Sequence, residues 1–391
     1  MIIELHLLQS FPVSNLNRDD VGQPKTVTFG GHLRGRISSQ SLKRAARLLF
    51  QDYGLTATET GVRTKRLVSS TAELLTKRRG GEEAEAAAIA QAGLRALGFG
   101  VDDKKQLTQY LLFVGSTAAE LLADYCEKDW DRLASDAAAR AKAAAKTTKA
   151  SNGERQAEEK QAKAKPDKQT LAEAARILDA SRVVDVAMFG RMIADNKDFN
   201  VDAASQVAHA ISTHAVVNEY DYYTAVDDLK PHDESGADMI GTVDFNAACY
   251  YRYANLHLDK LTENLRGDTD LVGRATSAWL NAFIDAVPGG KQNSMAALNP
   301  PETLLVVVRD RGAWNLANAF LRPIQDTDLM DGSTRALLGH FERLRRFYGN
   351  DDLRGVVAAS VTADLDGLAA HEVAQTRSDL VARVLAAATK D

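Results

Sequence analysis

Arg36-Ile-Ser-Ser-Gln-Ser-Leu-Lys-Arg-Ala-Ala-Arg47 is the stretch from which the fold is read. At about 100° per residue, Gln40, Lys43, Arg44 and Arg47 fall on one face of a helix. Leu42, Ala45, Ala46 and Leu49 fall on the other. Ser38 or Ser39 supplies the N-cap, and the helix is predicted to run to about Tyr53. The apolar side can pack on a sheet while the opposite side presents three cations and an amide. The serine hydroxyls and first-turn N–H groups lie at the positive helix end, which suits a phosphate. A capped start and a basic flank together make a track for a sugar–phosphate backbone. Nothing in the stretch reads base edges, so any such binding is expected to be independent of sequence. The same pattern also fits an ordinary amphipathic surface helix with a solvated basic face.

Charge distribution bears on that choice. The 391 residues carry a formal net charge of −5, whereas a free-standing nucleic-acid binder is usually basic. Between Arg18 and Arg47, however, seven Lys/Arg (Arg18, Lys25, Arg34, Arg36, Lys43, Arg44, Arg47) meet only Asp19 and Asp20. Positive charge is concentrated where a polyanion would be gripped.

Outward from the helix, Ile2–Leu8 alternates Ile3, Leu5 and Leu7 with Glu4 and His6, a half-buried strand. Ser10–Arg36, punctuated by Pro12, Pro24 and Gly30–Gly31, reads as loop. Ser70–Lys77, Glu82–Leu97 and Gln106–Cys126 have helical spacing. Ala134–Lys168 is Ala- and Lys-rich, with nine Lys/Arg and five Asp/Glu; it reads as a mobile linker or a solvated helix. Val183–Met188 is predicted as a strand and Ala203–Ala215 as a helix. Tyr220–Met239 is loop-like and polar, and Val243–His257 is β-rich. Ser277–Val287 is helical, Thr303–Arg309 a strand and Asn315–Leu321 a helix. The mixture fits an α+β sheet with insertions better than a doubly wound sheet.

Cys126 and Cys249 are the only cysteines, too few for a disulfide framework or a zinc site. Met1–Leu8 lacks the charged leader and cleavage site of a signal peptide, and no uninterrupted apolar run approaches about 18 residues. A cytoplasmic protein without membrane contact is expected.

Several blocks carry a family resemblance. Ser14-Asn-Leu-Asn-Arg-Asp-Asp20, Gly22-Gln-Pro-Lys25, Phe29-Gly-Gly31 and Arg36–Ala45 closely resemble the start of the CasC family, the repeating backbone subunit of type I-E CRISPR Cascade. Downstream, Phe189-Gly-Arg-Met192, Ala208-His-Ala-Ile-Ser-Thr-His214 and Tyr222-Tyr-Thr-Ala-Val-Asp-Asp-Leu229 are similar to family blocks. So are Tyr250-Tyr-Arg-Tyr-Ala-Asn255, Val287-Pro-Gly-Gly-Lys-Gln292 and Leu316-Ala-Asn-Ala-Phe320. Agreement spans roughly residues 1–50, 181–260 and 285–322. It fades over about 60–175 and after about 325.

The resemblance implies an α+β fold: a modified ferredoxin-like (RRM-like) palm with a helical insertion and a protruding β-hairpin thumb. The palm would comprise residues 1–58 and 181–391, with the thumb at about 218–243. The helical finger would be residues 59–180, including the Ala/Lys tract at about 134–168. Copies of the chain would assemble head to tail on a CRISPR RNA (crRNA). Each would hold the RNA backbone and leave most bases to pair with target DNA, in company with other Cascade subunits.

Carried onto this chain, the RNA-binding residues are Arg18, Lys25, Ser38, Gln40, Lys43, Arg44 and Arg47 on the palm. Arg191 and Met192 join them, Met192 as an apolar wedge between bases. Tyr222, Tyr223 and Thr224 would sit on the thumb, the aromatics stacking on a displaced base. Lys291 and Gln292 follow a Pro-Gly-Gly turn as further backbone contacts. No catalytic residue, metal or cofactor is expected. His209 and His214 are five apart on the predicted helix, about 140° round, and so form no one-face metal pair. Two other readings stand beside this one. A metal-dependent nuclease lacks a carboxylate cluster in the sequence, and a protein-only scaffold leaves the basic helix idle.

Overall fold

The computed structural model describes residues 1–102, 105–147, 168–193, 197–225 and 239–389. Along the chain run β1 (Ile2–Ser14), β2 (Thr26–Phe29), β3 (His32–Ile37), α1 (Ser39–Leu48), β4 (Gly61–Thr64), α2 (Leu67–Arg79) and α3 (Glu83–Ala96). There follow β5 (Val101–Asp102), β6 (Leu107–Thr108), β7 (Leu112–Gly115), α4 (Ala118–Lys128), α5 (Trp130–Thr147), α6 (Lys168–Ile177) and α7 (Val184–Phe189). Next come β8 (Ser205–Val207), β9 (Ala210–Ser212), β10 (Glu219–Ala225), β11 (Met239–His257), α8 (Leu258–Asn264), α9 (Thr269–Asp285) and α10 (Gln292–Met295). The last are β12 (Thr303–Arg309), a 3-10 turn (Leu316–Phe320), α11 (Leu329–Tyr348), β13 (Leu353–Ser360) and α12 (Arg377–Thr389). Among the described residues no helix is long and apolar enough to cross a membrane.

Two compact units emerge. The first joins Met1–Gly54, Ser205–Leu261 and Val272–Asp391; the second joins Leu55–Ala204 and Thr262–Leu271. The chain therefore returns to the first unit at Ser205, not at 181 as the sequence reading has it. Residues 181–204 stay with the helices because Val183 and Val186 pack on Phe113, and Arg191 pairs with Val201.

The first unit is built on one antiparallel sheet, ordered β13-β12-β1-β11-β9-β3-β2, with β8 and β10 also pairing β11. β1 is central: Ile2–Leu8 pairs with both β11 and β12. Layers cover both of its faces, so it is fully buried rather than half-buried. Glu4 and His6 are as inaccessible as Ile3, Leu5 and Leu7. Their polarity is met inside. Glu4 pairs with Arg309 at 2.9 Å and accepts the Trp314 N–H, and His6 Nδ1 bonds Tyr251 Oη at 2.9 Å.

The segment Ser10–Arg36 is not mainly loop. β1 continues to Ser14, and β2 and β3 form a hairpin through Gly30–Gly31, both left-handed at φ 61° and 82°. A two-residue turn with both central residues at positive φ matches the twist of the flanking strands, and glycine adopts it without strain. Gly30 is required twice over, since a Cβ there would meet the Leu321 carbonyl oxygen at 1.8 Å.

α1 places its apolar back against this sheet. Leu42 joins Phe11, Ile37, Ala210, Ala248 and Tyr250 in one buried cluster. The helix ends at Leu48, with turns carrying the chain on to Gly54. Arg34, counted with the basic residues in the sequence, is fully buried and donates to the Ser212 and Phe320 carbonyls.

The second unit holds α2 to α7 around a core that includes Val68, Leu75, Ile89, Leu122, Cys126 and Leu133. Two short ladders, β4–β7 and β5–β6, accompany them. Three sequence expectations change. Gln106–Cys126 holds the short strands β6 (Leu107–Thr108) and β7 (Leu112–Gly115) before α4 begins. Val183–Met188 is largely helix α7 (Val184–Phe189), whose six residues are all buried, Asp185 among them; a run buried all round has no exposed face to reveal its period. Ala203–Ala215 is β8 and β9, drawn into the sheet by pairing with β11. Of the Ala/Lys tract, residues up to Thr147 complete α5, while 148–167 lie outside the described residues.

Candidate nucleic-acid interface

α1 begins at a well-defined cap. Ser38 is buried and its Oγ accepts the Ser41 N–H, while its own N–H donates to Asn17 Oδ1 at 2.8 Å. The Ser39 N–H donates to His209 Nδ1 at 3.2 Å, and Arg36 Nη1 approaches the same nitrogen at 3.4 Å. The helix start thus already satisfies its first N–H groups with protein partners, so the phosphate site expected there is replaced by a side-chain cap.

The charged face lies just beyond. Gln40 and Arg44 are exposed, and Lys43 and Arg47 are half-buried. Lys25 joins them from the position just before β2: its carbonyl accepts the Arg36 N–H at 2.8 Å. Burial, then Arg36, Lys25 and Lys43, all press the His209 pKa below its ordinary value. Three cations therefore surround a neutral imidazole. Lys25, Arg36 and Lys43 thus gather positive charge about His209, and such a cluster attracts a polyanion.

A polar depression of about 480 Å³ is lined by Leu16, Asn17, Arg18, Asp19, Asp20, Gly22 and Gly290. Arg18 is exposed. Asp19 spends its carboxylate on the Val21 and Gln23 N–H groups of its own loop. Gly290 sits where a Cβ would strike the Asn15 and Leu16 carbonyls at 2.7 and 2.4 Å, so the turn before Lys291 lies directly on this loop.

The β10–β11 hairpin carries exposed aromatics: Tyr220, Tyr222 and Tyr223 are 75%, 59% and 44% accessible. Register runs from Glu219↔Phe245 to Ala225↔Met239; the rest of the expected thumb, 226–238, lies outside the described residues. In the second unit, Met192 is 84% accessible. Among the described residues no group of three or more His, Cys, Asp or Glu is arranged to hold a metal ion.

The model of the CT1975-like protein family matches residues 3–385. The chain belongs to that family. This CT1975-like protein is also similar to a chain of a solved structure titled "CRISPR RNA-guided surveillance complex, pre-nicking", at 31% identity and TM-score 0.83, covering 99% of this chain and 100% of that one. A second, from a "CRISPR RNA-guided surveillance complex", matches at 27% identity and TM-score 0.73 over 99% and 100%. No match was found among curated protein sequences. The CasC-type relationship and the mixed α+β palm expected from the motifs therefore hold.

Within this CT1975-like protein, Lys25, Gln40, Lys43, Arg44 and Arg47 are brought onto one region of the first unit, with Arg18 and Lys291 at the neighbouring loops. Ser38 accepts the Ser41 N–H as the helix cap, which leaves its own hydroxyl proton to donate. Two expected contacts are withdrawn. Arg191 is only 8% accessible and donates to the Phe199 and Phe113 carbonyls at 3.0 and 3.2 Å, with burial pushing its pKa down to about 10. Gln292 turns inward, its Nε2 donating to the Pro288 and Ala297 carbonyls.

Tyr222 and Tyr223 cannot form one platform, because adjacent strand residues point to opposite faces. Tyr222 shares its face with Tyr220 and Thr224, whereas Tyr223 lies over Gly241, whose added Cβ would touch its ring at 2.5 Å. Arg36, His209 and Tyr220 are the residues that the sequence reading missed. Arg36 opened a quoted motif without being assigned a contact, and Tyr220 stood beside one. His209 was misplaced by the helix predicted for 203–215.

Proposed function

We propose that this protein is the non-catalytic backbone subunit of a type I-E CRISPR RNA-guided surveillance complex. Copies of it polymerise along the crRNA spacer, hold its backbone without reading sequence, and leave bases to pair with target DNA in antiviral defence. The observation that carries this reading is the cationic face of α1, joined by Lys25 and Arg36, in a chain similar along its whole length to subunits of such complexes. Cations neutralise phosphates and release counterions, so affinity falls with salt. Gln40 adds a hydrogen bond that fixes register without a base code.

Met192 wedges between bases, as apolar side chains do at kinked steps. Tyr222, with Tyr220 on the same face, stacks on a displaced base, worth about 1–3 kcal/mol. Other Cascade subunits complete the particle.

Co-expression with a CRISPR transcript and companion subunits tests the reading. The expected product is a particle that retains RNA, seen as a raised absorbance ratio, with a mass requiring several copies of this chain. A particle free of RNA would leave the protein-only scaffold. Chelator-sensitive RNA cleavage by the purified chain would replace the reading with a nuclease.

A further inference from the structure

We propose that His209 is a direct, uncharged contact to the nucleic-acid backbone, donating its Nε2–H to a phosphate oxygen of single-stranded RNA held by Lys25, Arg36 and Lys43. The inference rests on the RNA-holding function proposed above and adds a ligand-binding residue to it.

His209 sits in the short connection between β8 and β9, and it is exposed. Its Nδ1 receives the Ser39 backbone N–H at 3.2 Å, with Arg36 Nη1 at 3.4 Å. An imidazole nitrogen that accepts from a backbone N–H carries no proton, so in the neutral ring the proton belongs to Nε2. The tautomer is fixed by the helix start, as a second partner fixes the ring in other functional histidines. The surrounding charges keep the ring neutral: Arg36, Lys25 and Lys43 each oppose a further positive charge. A second proton would also set an N–H against the Ser39 N–H.

The result is a rigid donor in the middle of three cations. Arg36 is itself held, through Nε to the Thr26 carbonyl at 3.3 Å and through its backbone N–H to the Lys25 carbonyl. An anion drawn by the cations meets Nε2–H already oriented. A phosphate oxygen is the acceptor that suits both features, since it takes a hydrogen bond and carries the charge that the cations attract.

Two near-isosteric substitutions separate the functions of the two nitrogens. In His209→Asn the side-chain oxygen can replace Nδ1 as acceptor for Ser39, but nothing replaces the distal donor. In His209→Gln the terminal amide can replace the Nε2 donor, but the acceptor for Ser39 is lost. The probe is a fluorescently labelled single-stranded RNA of mixed sequence, titrated with the full chain across a salt series.

His209→Asn should weaken binding roughly fivefold, about 1 kcal/mol, for one hydrogen bond lost. His209→Gln should stay within about twofold of the parent. Because the contact carries no charge, the slope of log affinity against log salt should be unchanged in His209→Asn. It should fall by about 0.7 in Lys43→Ala, which removes one phosphate-neutralising charge. Parent-like binding by His209→Asn, with loss in His209→Gln, would make His209 a positioning residue only and overturn the proposal. A reduced salt slope in His209→Asn would overturn it too, by showing a charged contact. If Lys43→Ala also leaves binding and slope untouched, the RNA-holding function itself fails. Melting curves of the two variants guard against a folding defect.

Discussion

Lys43 and Arg47 lie one turn apart on the polar face of α1, and their replacement is a test of how the interface works. The double change Lys43→Ala, Arg47→Ala should weaken RNA binding to every sequence alike and lower the salt slope by about 1.4. A loss confined to particular sequences would point to base reading. Buried residues make a separate prediction. Glu4 and Arg309 are 0% and 3% accessible and paired, so Arg309→Met leaves a carboxylate without its cation. The expected loss is about 3–5 kcal/mol in denaturant titration.

His6, also fully buried, is held neutral, with its pKa lowered from 6.5 to about 3 by burial and then by Arg309. The unfolded chain binds the extra proton first, so the contribution of His6 is complete above about pH 6.5. It is lost as pH falls toward 3, at up to about 1.4 kcal/mol per pH unit. In His6→Leu that part of the pH dependence should disappear. The residue scale is also where the sequence is read least completely. Gln40, Lys43 and Arg44 were identifiable because polar residues at helical spacing declare their face, and Lys25 because it closes the Gly22–Lys25 block of the family resemblance. Arg34, Arg191 and Gln292 carry the same chemistry inward, and only the fold distinguishes a carbonyl-bound guanidinium from a phosphate-binding one.

Among the elements, the β2–β3 turn gives a sharp contrast. Gly30→Ala forces a side chain into the Leu321 backbone, whereas a Cβ at Gly31 meets nothing within 4 Å. Gly31→Ala should cost about 1 kcal/mol, for the left-handed conformation alone. Gly30→Ala should cost clearly more in the same melts, and equal losses would refute the close approach. Helix α1 was readable because its apolar pattern matches its exposure, and β1, β11 and β12 because their apolar residues are β-rich, although β1 buries its polar positions as well. The failures share a physical cause. α7 is buried all round, so its valines mimic a strand. β8 and β9 are only three residues each, so pairing with β11, not local propensity, decides their state.

At the scale of the whole chain, two units with their own cores divide the labour. Leu122 is fully buried in the helical unit. Leu122→Ala should lower stability by about 2–5 kcal/mol yet leave the salt slope of RNA binding unchanged, because the cations lie on the other unit. A changed slope would mean that the helical unit supplies charge to the same contact. The net charge of −5 concealed this arrangement, since a few cations on one helix outweigh the total in deciding what that surface attracts.

β11 runs unbroken for 19 residues, pairing with β1 near His257 and with β10 near Met239. The tyrosine-bearing β10–β11 ladder therefore grows out of the central sheet on a shared strand. Lengthening β10 and β11 by two residues each would extend that ladder by about 6.6 Å while preserving which side chains face which way. Its reach is set by strand length in steps of two residues, which makes it a gauge that can be recut by insertion or deletion.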